Sequence, residues 1–156
     1  MMNVRMYLAV SAVLFFLLCM INGCAPAKRP FLMVQVCFKD EQNLELFIDT
    51  MKSIAQLERM NFIDNSRATQ KDLVALKVAG PTDRAINIGA EGNDGMWVTA
   101  SNLGLPSYQV TLGFFEGSRS LEARKFADRV VGELTQRWHI EYVPSGQGAF
   151  PMKNCE

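Results

Sequence analysis

The side chains able to do acid–base, nucleophilic or metal chemistry are few and scattered. The chain has one histidine, His139, beside Trp138 at the end of an apolar-periodic stretch. There it reads as a helix-end residue rather than a group that moves protons. Cys37, Cys155 and His139 are donor types that zinc accepts, but they lack the short paired spacing of a zinc site. Glu91, Asn93 and Asp94 offer oxygens within one turn, as calcium prefers, yet a tight hairpin uses the same residues without metal. Glu91 and Glu116 flank different loops and do not read as a hydrolase pair. No Gly-x-Ser-x-Gly elbow and no phosphate-cradling glycine loop is present. Catalysis needs converging groups of matched pKa. The expectation is therefore a protein that is not an enzyme, with no catalytic residue, no metal and no cofactor.

Charge narrows the partners. Sixteen basic side chains balance sixteen acidic ones. Without a basic excess there is no electrostatic drive toward a phosphate backbone, so nucleic acid is not an expected partner.

The N-terminus is more telling. Arg5 is the one charge before Cys24, and Met6 to Ile21 is almost unbroken apolar sequence. A basic start, an apolar core and small residues before a break are the parts of a secretory signal. Ile21-Asn22-Gly23-Cys24 resembles the lipobox of bacterial lipoproteins: an aliphatic residue, a variable one, a small one, then the cysteine. The resemblance covers this stretch alone. It implies that residues 1–23 are a signal peptide and that Cys24 becomes the lipid-bearing N-terminus, which attaches the protein to a membrane. A signal cleaved without lipidation is the other reading. An uncleaved span fits less well, since the run is near the lower limit of about 17–25 residues. A water-facing helix fits least, because the segment has no polar face to show water. The expected location is the bacterial cell envelope. Ala25 does not resemble the aspartate that retains some lipoproteins in the inner membrane, which points to the outer membrane, facing the periplasm.

On this reading Cys19 leaves with the signal and Cys24 carries lipid. Cys37 and Cys155 remain as an even pair in an oxidising compartment, where a disulfide between them is expected. It would close a loop of more than a hundred residues and stabilise by up to about 4–5 kcal/mol in the chain-entropy model. The alternative is a buried free Cys37 and a loose Cys155.

The elements that position these residues follow from periodicity. Residues 24–30 form a proline-held tether, and residues 31–156 suffice for a single globular domain. Phe31–Phe38 alternates as a strand, with Leu32, Val34, Val36 and Phe38 on one face and Met33, Gln35 and Cys37 on the other. Asp40 is placed to cap a helix whose stripe is Leu44, Phe47, Ile48, Met51, Ile54 and Ala55, running to about Met60. Residues 61–84 leave alternatives open. Phe62-Ile63 suits a short strand, Asn65 or Ser66 suits the cap of a short helix, and Val74–Val78 suits a strand. Three strands then form a meander around Ile86–Ala90, Met96–Ser101 and Tyr108–Phe115, the first pair joined through Gly92-Asn-Asp-Gly95. Ser118 or Ser120 is placed to cap a second long helix, with Glu122 early and Arg137 late, and Ile140–Val143 is a last strand.

This order predicts an α+β domain. Its expected form is a ferredoxin-like β-α-β-β-α-β antiparallel sheet with two helices on one face, plus extra short elements. Cys37, Gln35, Trp97, Thr99, Gln109, Thr111, Phe115 and Glu141 should share the face away from the helices, partly covered by the tail or by residues 64–80. The expected role is that of a membrane-tethered extracytoplasmic lipoprotein acting as a non-catalytic protein-binding or envelope-assembly module, an immunity-type protein being one form. It would bind a protein partner in the envelope through Trp97, Thr99 and Phe115. The alternative is a small-ligand-binding or enzymatic periplasmic domain using the loops around Gly92–Gly95 and Leu103–Ser107.

Overall fold

The computed structural model describes residues 28–80, 83–105, 108–153 and 155. Residues 1–23, expected to be a signal peptide, and Cys24 lie outside them. Among the described residues no helix is long and apolar enough to cross a membrane.

The domain is mixed α+β, with six strands and three helices among the described residues. The strands are β1 (Leu32–Cys37), β2 (Asn61–Asp64), β3 (Asn87–Glu91), β4 (Trp97–Ser101), β5 (Gln109–Phe115) and β6 (Ile140–Tyr142). The helices are α1 (Glu41–Leu57), α2 (Ser66–Ala75) and α3 (Ser120–Thr135). All neighbouring strands run antiparallel, in the order β2-β3-β4-β5-β1-β6. This is not the four-stranded ferredoxin-like order expected from sequence. Residues 61–91 add β2, α2 and β3, and the two added strands extend the sheet beyond β4.

Strand alternation sets the two faces. Val34, Val36, Val98, Val110, Leu112 and Phe114 point to one side with almost no exposure. Both long helices lie against that side. Leu44, Phe47, Met51 and Ala55 of α1 and Phe126, Ala127, Val130 and Leu134 of α3 join the same apolar core. Burying a side chain such as Phe47, Phe114 or Phe126 contributes roughly 1.5–3 kcal/mol. Phe38, Phe47 and Trp138 meet at one end of this core with ring centroids 5.0–6.1 Å apart.

Helix ends depart from expectation in small ways. Asp40 caps α1 by accepting from the Asn43 N–H at 2.8 Å, but the helix stops at Leu57 rather than near Met60. Arg119, not Ser118 or Ser120, occupies the cap position of α3 and makes no side-chain cap bond. Arg137 falls just beyond the helix end. In the ambiguous stretch the strand-then-helix reading holds. Val74–Val78 is not a strand, because α2 continues through Ala75.

The strands define two ends. Where β1 begins and β5 finishes, the Phe31 N–H donates to the Phe114 carbonyl at 2.9 Å. This is the tether end. The opposite end, where β1 finishes at Cys37, is the disulfide end.

Candidate functional site

The outer face of the sheet, away from α1 and α3, is divided into a covered and an uncovered half. β6 pairs with β1, Val34 opposite Tyr142, and so the chain leaves β6 beside the first strand. The tail then returns across the sheet to a disulfide between Cys37 and Cys155, with Cα atoms 5.4 Å apart. Beneath it, Gln35 and Gln109 are wholly buried. Both carboxamides donate to the Phe150 carbonyl, at 2.7 and 2.6 Å, and the Met152 N–H donates to Gln109 Oε1 at 2.9 Å. Two polar side chains on an exposed sheet face have thus become interior groups with every strong bond satisfied by tail backbone.

Among the described residues no such strap crosses the other half, over β2, β3 and β4. A shallow groove of about 330 Å³ lies there, lined by Ile63, Asn65, Asn87, Gly89, Trp97 and Thr99. α2 flanks one corner, where the Asn87 side chain donates to Thr69 Oγ1 at 2.9 Å. Trp97 and Phe115 sit at the tether end of this face, directly cross-strand. Their rings stack with centroids 4.4 Å apart and planes 10° from parallel. Gly113 makes that possible, since a Cβ there would stand 3.3 Å from the Phe115 ring. The Lys28 ammonium lies 5.1 Å from the Trp97 ring centroid, a cation–π contact that brings the tether over the stack. Thr99 is exposed one pleat further along β4. Trp97, Thr99 and Phe115 therefore form one surface.

The remaining candidates do not converge. The Gly92–Gly95 turn precedes β4, and the loop after Ser101 follows it. Five strand residues separate the two loops, about 17 Å at the usual rise, and Pro106 and Ser107 lie outside the described residues. Asp94 is occupied locally: its carboxylate accepts from the Met96 N–H at 3.1 Å and approaches Arg119 Nε at 3.5 Å. Glu116 pairs with Arg124 at 2.8 Å. His139 is exposed, with Glu141 at 3.4 Å, beside a cavity of about 600 Å³ that also touches Lys39, Tyr108, Trp138 and the disulfide. Among the described residues no three of His, Cys, Asp and Glu cluster closely enough to hold a metal ion.

Among the described residues two groups have shifted pKa values, and both serve structure. Hydrogen bonds from the Asn43 backbone and then its side chain hold the Asp40 carboxyl below its usual range. Burial works to lower the pKa of Arg84, but hydrogen bonds to Glu45 and Glu41 outweigh it and leave the guanidinium held above its usual value. Sequence reasoning missed Asn102, a buried residue that staples the disulfide end. Its Oδ1 accepts from the Ile86 N–H at 2.7 Å and its amide donates to the Arg84 carbonyl at 2.8 Å. Asn-Leu-Gly after a strand signalled only a turn. Comparison with protein-family models, curated proteins and solved structures finds no match for this chain.

Proposed function

We propose that this protein is a lipid-anchored module of the bacterial envelope that binds a partner protein on the uncovered half of its outer sheet face, without catalysis. The observation carrying the reading is the division of that face. A disulfide-pinned tail seals one half, while the other presents a groove with the stacked Trp97–Phe115 pair at its rim. Rigid stacked aromatics beside a shallow apolar surface lose little conformational entropy on binding and are favoured anchors of protein interfaces. β2 is an edge strand next to the groove, so an extended segment of a partner has both a strand to pair with and a face to rest on. The Cys37–Cys155 bridge suits an oxidising compartment. We read β6-β1-β5-β4, with α1 and α3 on one face, as a ferredoxin-like unit lengthened by β2 and β3. The strand order along that run supports this. The separation of the Gly92–Gly95 and Leu103–Ser107 loops along β4 weighs against a small-molecule site built from both.

A photo-crosslinking side chain at Thr99, in the lipidated protein within its own envelope, tests the reading. It should give one dominant protein adduct, while the same group at Lys52, exposed on α1, should not. Equal labelling from both positions, or none from Thr99, refutes a partner on this face. Cys24→Ala should move the protein from the membrane to the soluble fraction, and full membrane retention would refute the anchor.

A further inference from the structure

The tether end of the domain carries a second surface, which meets the partner groove at Trp97. We propose that this end rests on the anionic headgroups of the membrane that holds the anchor, so that the sheet stands upright with its disulfide end pointing away. The inference rests on Cys24 being lipidated.

Covalent reach is the first argument. Lys28 is four positions after Cys24, a contour of at most about 14 Å. Lys28 is itself fixed against Trp97, and three residues later Phe31 is bonded to β5. The described start of the domain therefore lies within about 14 Å of the lipid-bearing residue, while the six-residue β1 carries the far end about 20 Å further. The disulfide end cannot reach the bilayer unless the domain lies flat.

The second argument is what this end exposes. α1 finishes here at Leu57, which is 82 % exposed, and α3 begins here with Leu121, 61 % exposed. Both project from helix termini where no core residue requires them. Arg119–Asp94, Arg124–Glu116 and Arg129–Glu58 pair off at this end. Lys28, Arg29, Arg59 and Lys125 form no ion pair among the described residues, against the likewise unpaired Glu91, Glu122 and Asp128. Isolated leucines among surplus cations, with a tryptophan at their edge, match the interfacial zone of a bilayer. There apolar tips and aromatic rings settle at headgroup depth, and Lys or Arg gain from anionic lipid.

The chain carries its own controls, because it has two tryptophans. Trp97 stands at the tether end and Trp138 at the disulfide end, against Phe38. Full-length lipidated protein is placed in vesicles of phosphatidylethanolamine and phosphatidylglycerol that contain a nitroxide-headgroup lipid, a quencher acting near contact range. Wild-type emission should drop markedly, and the emission of Trp97→Phe, which keeps Trp138 alone, should not. In phosphatidylcholine vesicles with the same quencher the wild-type loss should shrink at least twofold. Protein that floats with the vesicles while both forms stay bright overturns the orientation but leaves the anchor standing. Equal quenching of both forms shows a domain lying flat and overturns the upright posture. Undiminished quenching in phosphatidylcholine overturns the anionic surface. Failure to float overturns the anchor itself, and the proposal with it.

Discussion

Gln35 and Gln109, on adjacent antiparallel strands, donate to the same carbonyl oxygen, that of Phe150. Neither side chain has any solvent exposure. The carbonyl thereby uses both lone pairs, and the tail is held by a shared acceptor as well as by the Cys37–Cys155 bridge.

Sharing has a measurable consequence. Gln109→Leu removes a donor to Phe150 and the acceptor of the Met152 N–H, and should cost about 1–3 kcal/mol for the buried groups left unpaired. After either single change Phe150 retains one donor, and after both it has none. The double variant with Gln35→Leu should therefore cost more than the sum of the singles, by roughly 0.5 kcal/mol or more. Urea denaturation of the oxidised protein measures the cycle. Strict additivity would show that the two amides do not depend on one oxygen.

The disulfide should matter through the unfolded chain. Its two cysteines are 118 residues apart in sequence, so the bridge restricts most of the domain's denatured ensemble and should stabilise by up to about 4–5 kcal/mol. Cys37→Ser should lower the melting temperature under oxidising conditions. Reductant should bring the wild type down to the level of the variant and leave the variant unchanged. A wild type indifferent to reductant would mean that the tail is held by its hydrogen bonds alone.

How far these features were legible depends on what drives each one. β1, β5 and the helix stripe from Leu44 to Ala55 place buried residues at strict periods, and strand alternation put Cys37, Gln35 and Gln109 on one face. α2 left no such mark, because none of its residues is fully buried. Polar bonds hold it instead: Gln70 bonds to Gly80 and Ala85, and Ser66 to Asn87. Bonds of that kind are pairings across the fold with no period in the chain. Cover for the face of Gln35 and Gln109 was expected from the tail or from residues 64–80, and which of the two supplies it was hidden for a related reason. Pro144 to Pro151 has neither helical nor strand periodicity, so only Cys155 hinted that the tail returns. β3 was legible as the strand around Ile86–Ala90, and the extension of the sheet stayed open because residues 61–84, which hold β2 and α2, gave no single period.

Gly117 locks the turn at the tether end. A Cβ there would stand 2.4 Å from both the Asp94 carbonyl oxygen and the Met96 nitrogen, and these are backbone atoms that cannot swing aside. The neighbouring Ser118 N–H donates to the same Asp94 carbonyl at 3.0 Å. Gly117→Ala should push the β3–β4 turn away from the start of α3, at about 1–3 kcal/mol. Gly132→Ala, on an exposed turn of α3 with open space at its Cβ, should be neutral or slightly stabilising. Equal melting temperatures for the two variants would refute the close approach.

Acid should act on the cap of α1. Asp40 accepts from the Asn43 backbone at 2.8 Å and from its side chain at 2.9 Å, and these bonds hold the carboxyl below its usual value of 3.8. A carboxyl whose folded pKa is depressed binds its proton more readily in the unfolded chain. Its stabilisation is complete above the unfolded value, near about pH 4, and is lost as pH falls through the lower folded value. Asp40→Ala should therefore melt below the wild type by a constant interval from neutral pH to about pH 5, and the interval should narrow toward about pH 3. Asn43 Oδ1 also accepts from Trp138 Nε1 at 3.3 Å, so loss of the cap should shift Trp138 emission as well. Trp97→Phe, carried in both proteins, isolates that signal. An interval that stays constant down to the acid limit would show that the cap works through shape and not through the charge of its carboxylate.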